Sequence, residues 1–160
     1  MPSREGDSNM MKTIVASAAL AVLLCGTPAR AASTPAQLAK ALTPRNWDKF
    51  LAACKKAHAD ENCLFLKSVA DYKVQADNTR RGVLAEQITN YYIGSTATKE
   101  VNLSAPNLTA TQTAYAKAKK TKAFPNSLFS VAENEVSRLL LTAINTQSRQ
   151  YFDPVMASLQ

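Results

Sequence analysis

The chain has 160 residues, room for one domain of ordinary size once a leader is set aside. Hydrophobic residues make up 46% of it, Gly occurs only 4 times beside abundant Ala, and the formal net charge is +7. This composition excludes a disordered or collagen-like chain, favours helix because Ala loses least entropy there and Gly most, and admits anionic partners without selecting one.

Lys12 precedes an apolar run from Ile14 to Leu24, and Ala29-Arg30-Ala31 follows Gly26-Thr27-Pro28. A positive start, a short apolar stretch and an Ala-x-Ala end mark a secretory signal peptide. The run is shorter than the ~20 residues that span a bilayer. Residues 1–31 are therefore read as a signal peptide cut near Ala31, with Met10 or Met11 as a candidate initiator. The mature chain is expected to be periplasmic or secreted, with no transmembrane segment. Leu24 ahead of Cys25 fits a lipoprotein cleavage site poorly. Export puts Cys54 and Cys63 in an oxidising compartment. A disulfide and two buried thiols are both open to this pair, and the spacing does not choose between them.

Residues 32–43 read as a short lead-in, with one or two helical turns from Pro35 to Leu42 before Thr43-Pro44. Asn46 is read as the cap of the next helix, in which Trp47, Phe50, Leu51 and Cys54 follow at helical spacing. Asp60 then caps a helix that repeats Leu64, Phe65, Val69 and Tyr72 on one face, and Asp77-Asn78 breaks that pattern. A third helix is expected from about Thr79 to Ile93, with Val83, Leu84, Ile88, Tyr91 and Tyr92 as its apolar stripe and Gly94 as its C-terminal glycine. Ser95 to Pro106 lacks a helical period and reads as a long loop. Thr109 and Gln112 have capping-box spacing and open a polar, basic helix to about Lys120. After Phe124-Pro125-Asn126, Ser127 or Ser130 caps the last long helix, and Ser130 with Glu133 again has capping-box spacing. Its buried face is Leu128, Phe129, Ala132, Val136, Leu139, Leu140 and Ile144. A short helix around Gln147 to Phe152 precedes a frayed tail, residues 154–160. With no repeat and no strand pattern, the sum is an all-α bundle.

Chemistry of its own is hard to place. His58 is the lone histidine and lies beside a turn, where a surface position is expected. Two cysteines and one histidine fall short of the four ligands of a structural zinc site. No glycine loop cradles phosphate, and no carboxylate pair suggests glycosidase work. No cofactor, no metal and no catalytic residue are expected. Lys117, Lys119, Lys120 and Lys122 form the dense charge run, between Tyr115 and Phe124. A solvated helix face explains it more readily than a nucleic-acid or lipid site, and no nucleic acid is expected as partner.

Several segments together resemble one family. Phe50-Leu51, Asp60-Glu61-Asn62, Leu64-Phe65-Leu66 and Asp71-Tyr72-Lys73 resemble its acidic Glu-Asn turn and buried helix. Ile88 with Tyr91-Tyr92-Ile93 resembles the helix before its central loop, and Ala97-Thr98-Lys99-Glu100-Val101-Asn102-Leu103 the start of that loop. Phe129, Ala132, Glu135, Val136 and Leu139 match its penultimate helix, and Arg149, Tyr151 and Phe152 its closing one. The family is the regulator of G-protein signalling (RGS) domain, and the resemblance covers residues 44–153. It implies an RGS-like multi-helix bundle that binds protein and is not itself an enzyme. Such a module grips the switch loops of a G-protein α subunit in their transition-state shape, adding no catalytic side chain. By resemblance Glu61 and Asn62 belong to the gripping face, with Leu139 and Arg149 near it, although Glu61-Asn62 fits helix capping equally well.

The sequence departs from the family in two ways. An asparagine is expected at the start of the helix after the central loop, and Thr111 to Tyr115, read as that start, has none. The stretch from Leu103 to Phe129 is also longer and more basic than the family's. The leading reading is therefore an RGS-like protein-binding module outside the cytoplasm, partner unknown. A secreted effector that activates GTP hydrolysis by a G-protein α subunit comes second, and a basic domain binding anionic lipid or nucleic acid third.

Overall fold

The computed structural model describes residues 31–159, and the signal-peptide reading of residues 1–31 falls almost wholly outside them. Local signals set where the helices start. Thr34 and Gln37 form a reciprocal capping box ahead of Pro35, and α1 runs Pro35–Ala41. Pro44, whose fixed φ suits a first helical turn, likewise opens α2, Pro44–Lys56. Asn46 is therefore inside α2 rather than its cap. Its amide donates back to the Lys40 carbonyl at 3.0 Å and to Thr43 Oγ1 at 3.3 Å.

α3 spans Asp60–Val74. Asp60 is its first residue and makes no capping bond; its carboxylate accepts from Lys99 instead. α4 spans Asn78–Tyr92, and the Asp77 carboxylate caps it by accepting from Arg80 N at 2.7 Å. Gly94 follows with φ +106°, a conformation glycine adopts at no steric cost. The expected stripe on α4 is corrected: Ala85, Ile88 and Tyr92 are buried, while Val83 and Tyr91 are exposed. α4 packs mainly on α3 and α5, so a narrow face is enough.

α5 spans Ala105–Thr121, four residues ahead of Thr109. Ser104 and Pro106 open it, and Thr109 and Gln112 merely share the spacing of a capping box inside a helix. α6 spans Ser130–Asn145 without a side-chain cap. Glu133 does not close a box with Ser130, because it pairs with Lys73 on α3. On α6 the buried positions are Ala132, Val136, Leu140 and Ile144, and Leu139 is only half-buried, outside the core.

α7 spans Arg149–Ala157, continuing through Pro154 where a frayed tail was expected. Proline removes one backbone bond and crowds the preceding turn. Phe152 and Met156, one turn apart, are both buried, and Leu159 joins them in the core, so burial outweighs that loss. The lead-in is corrected in the same way, since Leu38 and Ala41 of α1 are core residues. Asn145 clamps the chain ahead of α1 by accepting from Ser33 N at 2.7 Å and donating to Ser33 O at 3.1 Å.

The seven helices among the described residues form a bundle in which α3 touches α2, α4 and α6. That position explains why α3 buries Cys63, Phe65, Leu66, Val69 and Tyr72 around much of its circumference. Edge-to-face rings knit the core: Tyr72 meets Phe129 at 5.3 Å and Phe65 meets Tyr92 at 5.8 Å. Phe50 of α2 meets Phe152 of α7 at 5.6 Å, bringing the late helix onto an early one.

Candidate partner-binding surface

The turn between α2 and α3 is short and doubly constrained. Exposed His58 adopts φ +52°, which ends α2, and Ala59 N donates to the Cys54 carbonyl at 2.9 Å. A disulfide then joins Cys54 and Cys63, nine residues apart, with Cα atoms 6.5 Å apart and both residues fully buried. The first turn of α3, which holds Asp60, Glu61 and Asn62, thus projects from a cross-linked hairpin. Asp60 and Glu61 lie where the helix dipole favours negative charge.

The loop at residues 93–104 is fastened beside this turn. Lys99 N donates to Tyr91 O at 2.8 Å and Val101 N to Tyr92 O at 3.1 Å, folding the loop back on the end of α4. Val101 is buried. Lys99 Nζ then reaches Asp60 Oδ2 at 3.0 Å. That hydrogen bond holds the Asp60 carboxyl below its ordinary value against the opposing effect of burial, and it holds the Lys99 ammonium above its own.

The far end of the loop is tied to α6 through Glu135. Its carboxylate accepts from Asn107 Nδ2 at 2.8 Å, from Ser104 N at 3.1 Å and from Ser104 Oγ at 3.1 Å. The Asn107 bond is the main reason its carboxyl is held below the ordinary range. Leu139 lies one turn further along α6 and is half-buried. A shallow hollow of about 370 Å³ between Asn107, Asn134, Glu135 and Arg138 adjoins this contact.

Among the residues singled out from sequence, Glu61 and Asn62 share the α3 first turn that Lys99 joins to the loop. The loop in turn leads through Glu135 to Leu139, so these three residues belong to one chain of contacts. Arg149 opens α7 and is exposed, with its Nε 3.4 Å from Asp153 in its own helix. Asn62 carries a further mark: its amide oxygen is covered and has no hydrogen-bond partner.

Sequence reasoning missed the residues that do the fastening: Asp60 as an ion-pair partner, Lys99, Ser104, Asn107 and Glu135. Ser104 followed by Pro106 was the available signal for a helix start. Moving that start to Ala105 corrects one expectation directly, because an asparagine, Asn107, does occupy the first turn after the loop.

Seven helices with no strand among the described residues, and a loop strapped across two of them, make an all-α bundle. The model of the regulator of G protein signaling domain matches residues 42–147, most of the chain, and the chain belongs to that family. A comparison with curated proteins found no match. The match ends before α7, although α7 supplies Phe152 and Met156 to the core. Domains of this family are G-protein-interacting modules that in general regulate GTP hydrolysis without catalysing it themselves. Among the described residues no helix is long and apolar enough to cross a membrane, and no group of three or more His, Cys, Asp or Glu could hold a metal ion.

Proposed function

We propose that this chain is an exported protein-binding module that grips its partner with the α2–α3 turn, the 93–104 loop and the Glu135–Leu139 stretch of α6. The observation that carries this reading is the pair of fastenings, Lys99 on Asp60 and Glu135 on Ser104 and Asn107. They join three segments distant in sequence into one surface, and a surface ordered in advance loses less entropy on binding. Export rests on the pattern from Lys12 to Ala31. Glu61, Asn62 and Leu139 make the contacts; Arg149 contributes from the start of α7.

The test is capture of a partner from the native cell envelope, comparing wild type with Asn62→Ala and Leu139→Asp. Both variants are expected to melt close to wild type and to lose the captured protein. Undiminished capture by both would remove this surface from the proposal.

A second reading, activation of GTP hydrolysis by a G-protein α subunit, is favoured by one observation: Asn107 in the first turn after the loop. Its amide is engaged by Glu135, so it would have to be shared with or surrendered to the α subunit. A single-turnover GTPase assay decides. No acceleration is expected with ordinary α subunits. Robust acceleration that Asn62→Ala abolishes would put the activator reading first.

A further inference from the structure

The hollows of the bundle differ in what their charges are doing. One, about 760 Å³ between α1, α3 and α6, is lined by the Lys73–Glu133 pair and by Arg138. The depression between α3 and α4 presents Asp71, itself paired with Lys67. A third hollow, about 480 Å³, lies between the start of α4, the second half of α5 and the 122–128 connection. Its wall is apolar, formed by Ala114, Ala118, Phe124 and Leu128, and its charged lining residues are Arg81 and Lys117.

Those cations have little to balance them. Among the described residues Arg80, Arg81, Lys117, Lys120 and Lys122 make no ion pair. The carboxylates nearby in sequence are occupied: Asp77 caps α4, and Glu86 takes Lys119 at 3.2 Å. The Arg81 guanidinium donates from Nη1 to Asn126 Oδ1, but its Nε is covered and has no acceptor. Arg81 as a whole is half-buried, so its guanidinium keeps an open side from which an anion can be met. The connection that closes the hollow is held in place by Asn78, which donates to Lys122 O at 2.8 Å and accepts from Phe124 N at 3.0 Å.

We propose that this hollow is a binding site for a small amphipathic anion, with its apolar body against Ala114, Ala118, Phe124 and Leu128 and its carboxylate on Arg81 and Lys117. The volume lies within the range of about 300–1,000 Å³ usual for small-ligand sites, which are mostly apolar with a few placed polar groups. Arginine offers a planar fork suited to a carboxylate, and Lys117 adds a flexible second charge. The site does not depend on the partner-binding surface, which uses other residues.

The test is calorimetric titration of residues 32–160 with laurate below its micelle concentration, alongside inorganic phosphate and vesicles of anionic phospholipid. Laurate is expected to fill one site. Lys117→Gln, an exposed change, should weaken it about tenfold, the loss of one good charged contact, and Arg81→Gln should do at least as much. Ala114→Phe, which fills the hollow from its half-buried rim, should abolish laurate binding while the melting temperature stays near wild type. Inorganic phosphate should not saturate. Two results would overturn the proposal: laurate binding unchanged by both Lys117→Gln and Ala114→Phe, or phosphate or anionic vesicles binding as tightly as laurate and indifferently to Ala114→Phe, which would make the lysines a bare charged face.

Discussion

α3 is fastened at its two ends by different means. At its start a disulfide and an ion pair lock the α2–α3 turn and the 93–104 loop. At its end the Tyr72 hydroxyl donates to Pro125 O at 2.8 Å, and Asn78 holds the same connection by two further bonds. The first end is cross-linked covalently; the second is held without a covalent link, by these hydrogen bonds and the Lys73–Glu133 ion pair, with Phe124 packed so close to Gly82 that a Cβ there would lie 2.8 Å from the ring. The contrast matches the proposed uses. A face that docks a large partner gains from being rigid before contact, whereas a hollow that admits a small molecule needs a connection able to give.

Removing the disulfide should have the largest effect. Cys54→Ser with Cys63→Ser is expected to lower stability by about 2–3 kcal/mol in the chain-entropy account of so short a loop. Urea melts with and without dithiothreitol check it: the reductant should shift wild type to the midpoint of the double variant and leave the variant unmoved. A wild type indifferent to reduction would mean that packing alone holds this end.

At the other end, Asn78→Ala removes two bonds and should cost about 1–2 kcal/mol. Amide exchange should rise across residues 122–126 and stay unchanged across residues 57–63. Rising exchange in both places would show the ends to be coupled through α3. Tyr72→Phe keeps the ring against Phe129 and deletes a single bond, so about 1 kcal/mol is expected.

The smallest effect belongs to the ion pair. Both partners are partly exposed, and Lys99→Met should lower stability only slightly, less so in high salt. Its pH dependence is more telling. Folding depresses the Asp60 carboxyl, so the pair's contribution is fully present above the unfolded value of about 4 and fades as pH falls through the lower folded one. The stability difference between wild type and Lys99→Met should therefore shrink below about pH 4. A constant difference down to pH 2 would show that Lys99 acts through its aliphatic stem.

Much of this architecture could be read from the chain. The 3.6-residue recurrence of Phe65, Val69 and Tyr72, or of Val136, Leu140 and Ile144, requires helices with one buried side, and only helix-on-helix packing buries them all. The segments from Asp60 to Lys73 and from Ala97 to Leu103 carried enough family pattern to place the chain in its family. Helix starts were less legible wherever two polar residues competed for the cap, as Asn46 did with Thr43 and Thr109 with Ser104. Proline decided both, through its fixed φ.

What tertiary structure alone decided were the pairings. Nothing local joins Lys99 to Asp60, or Glu135 to Ser104 and Asn107, because those partners lie tens of residues apart and meet only when α3, α5 and α6 are packed. The same holds for α7. Pro154 argues locally for a helix end, and the local argument loses because Phe152 and Met156 find α2 and the core beside them. Sequence periodicity states which side of a helix avoids water; which helix answers it, and which polar groups are thereby brought within bonding distance, depends on packing the whole chain at once.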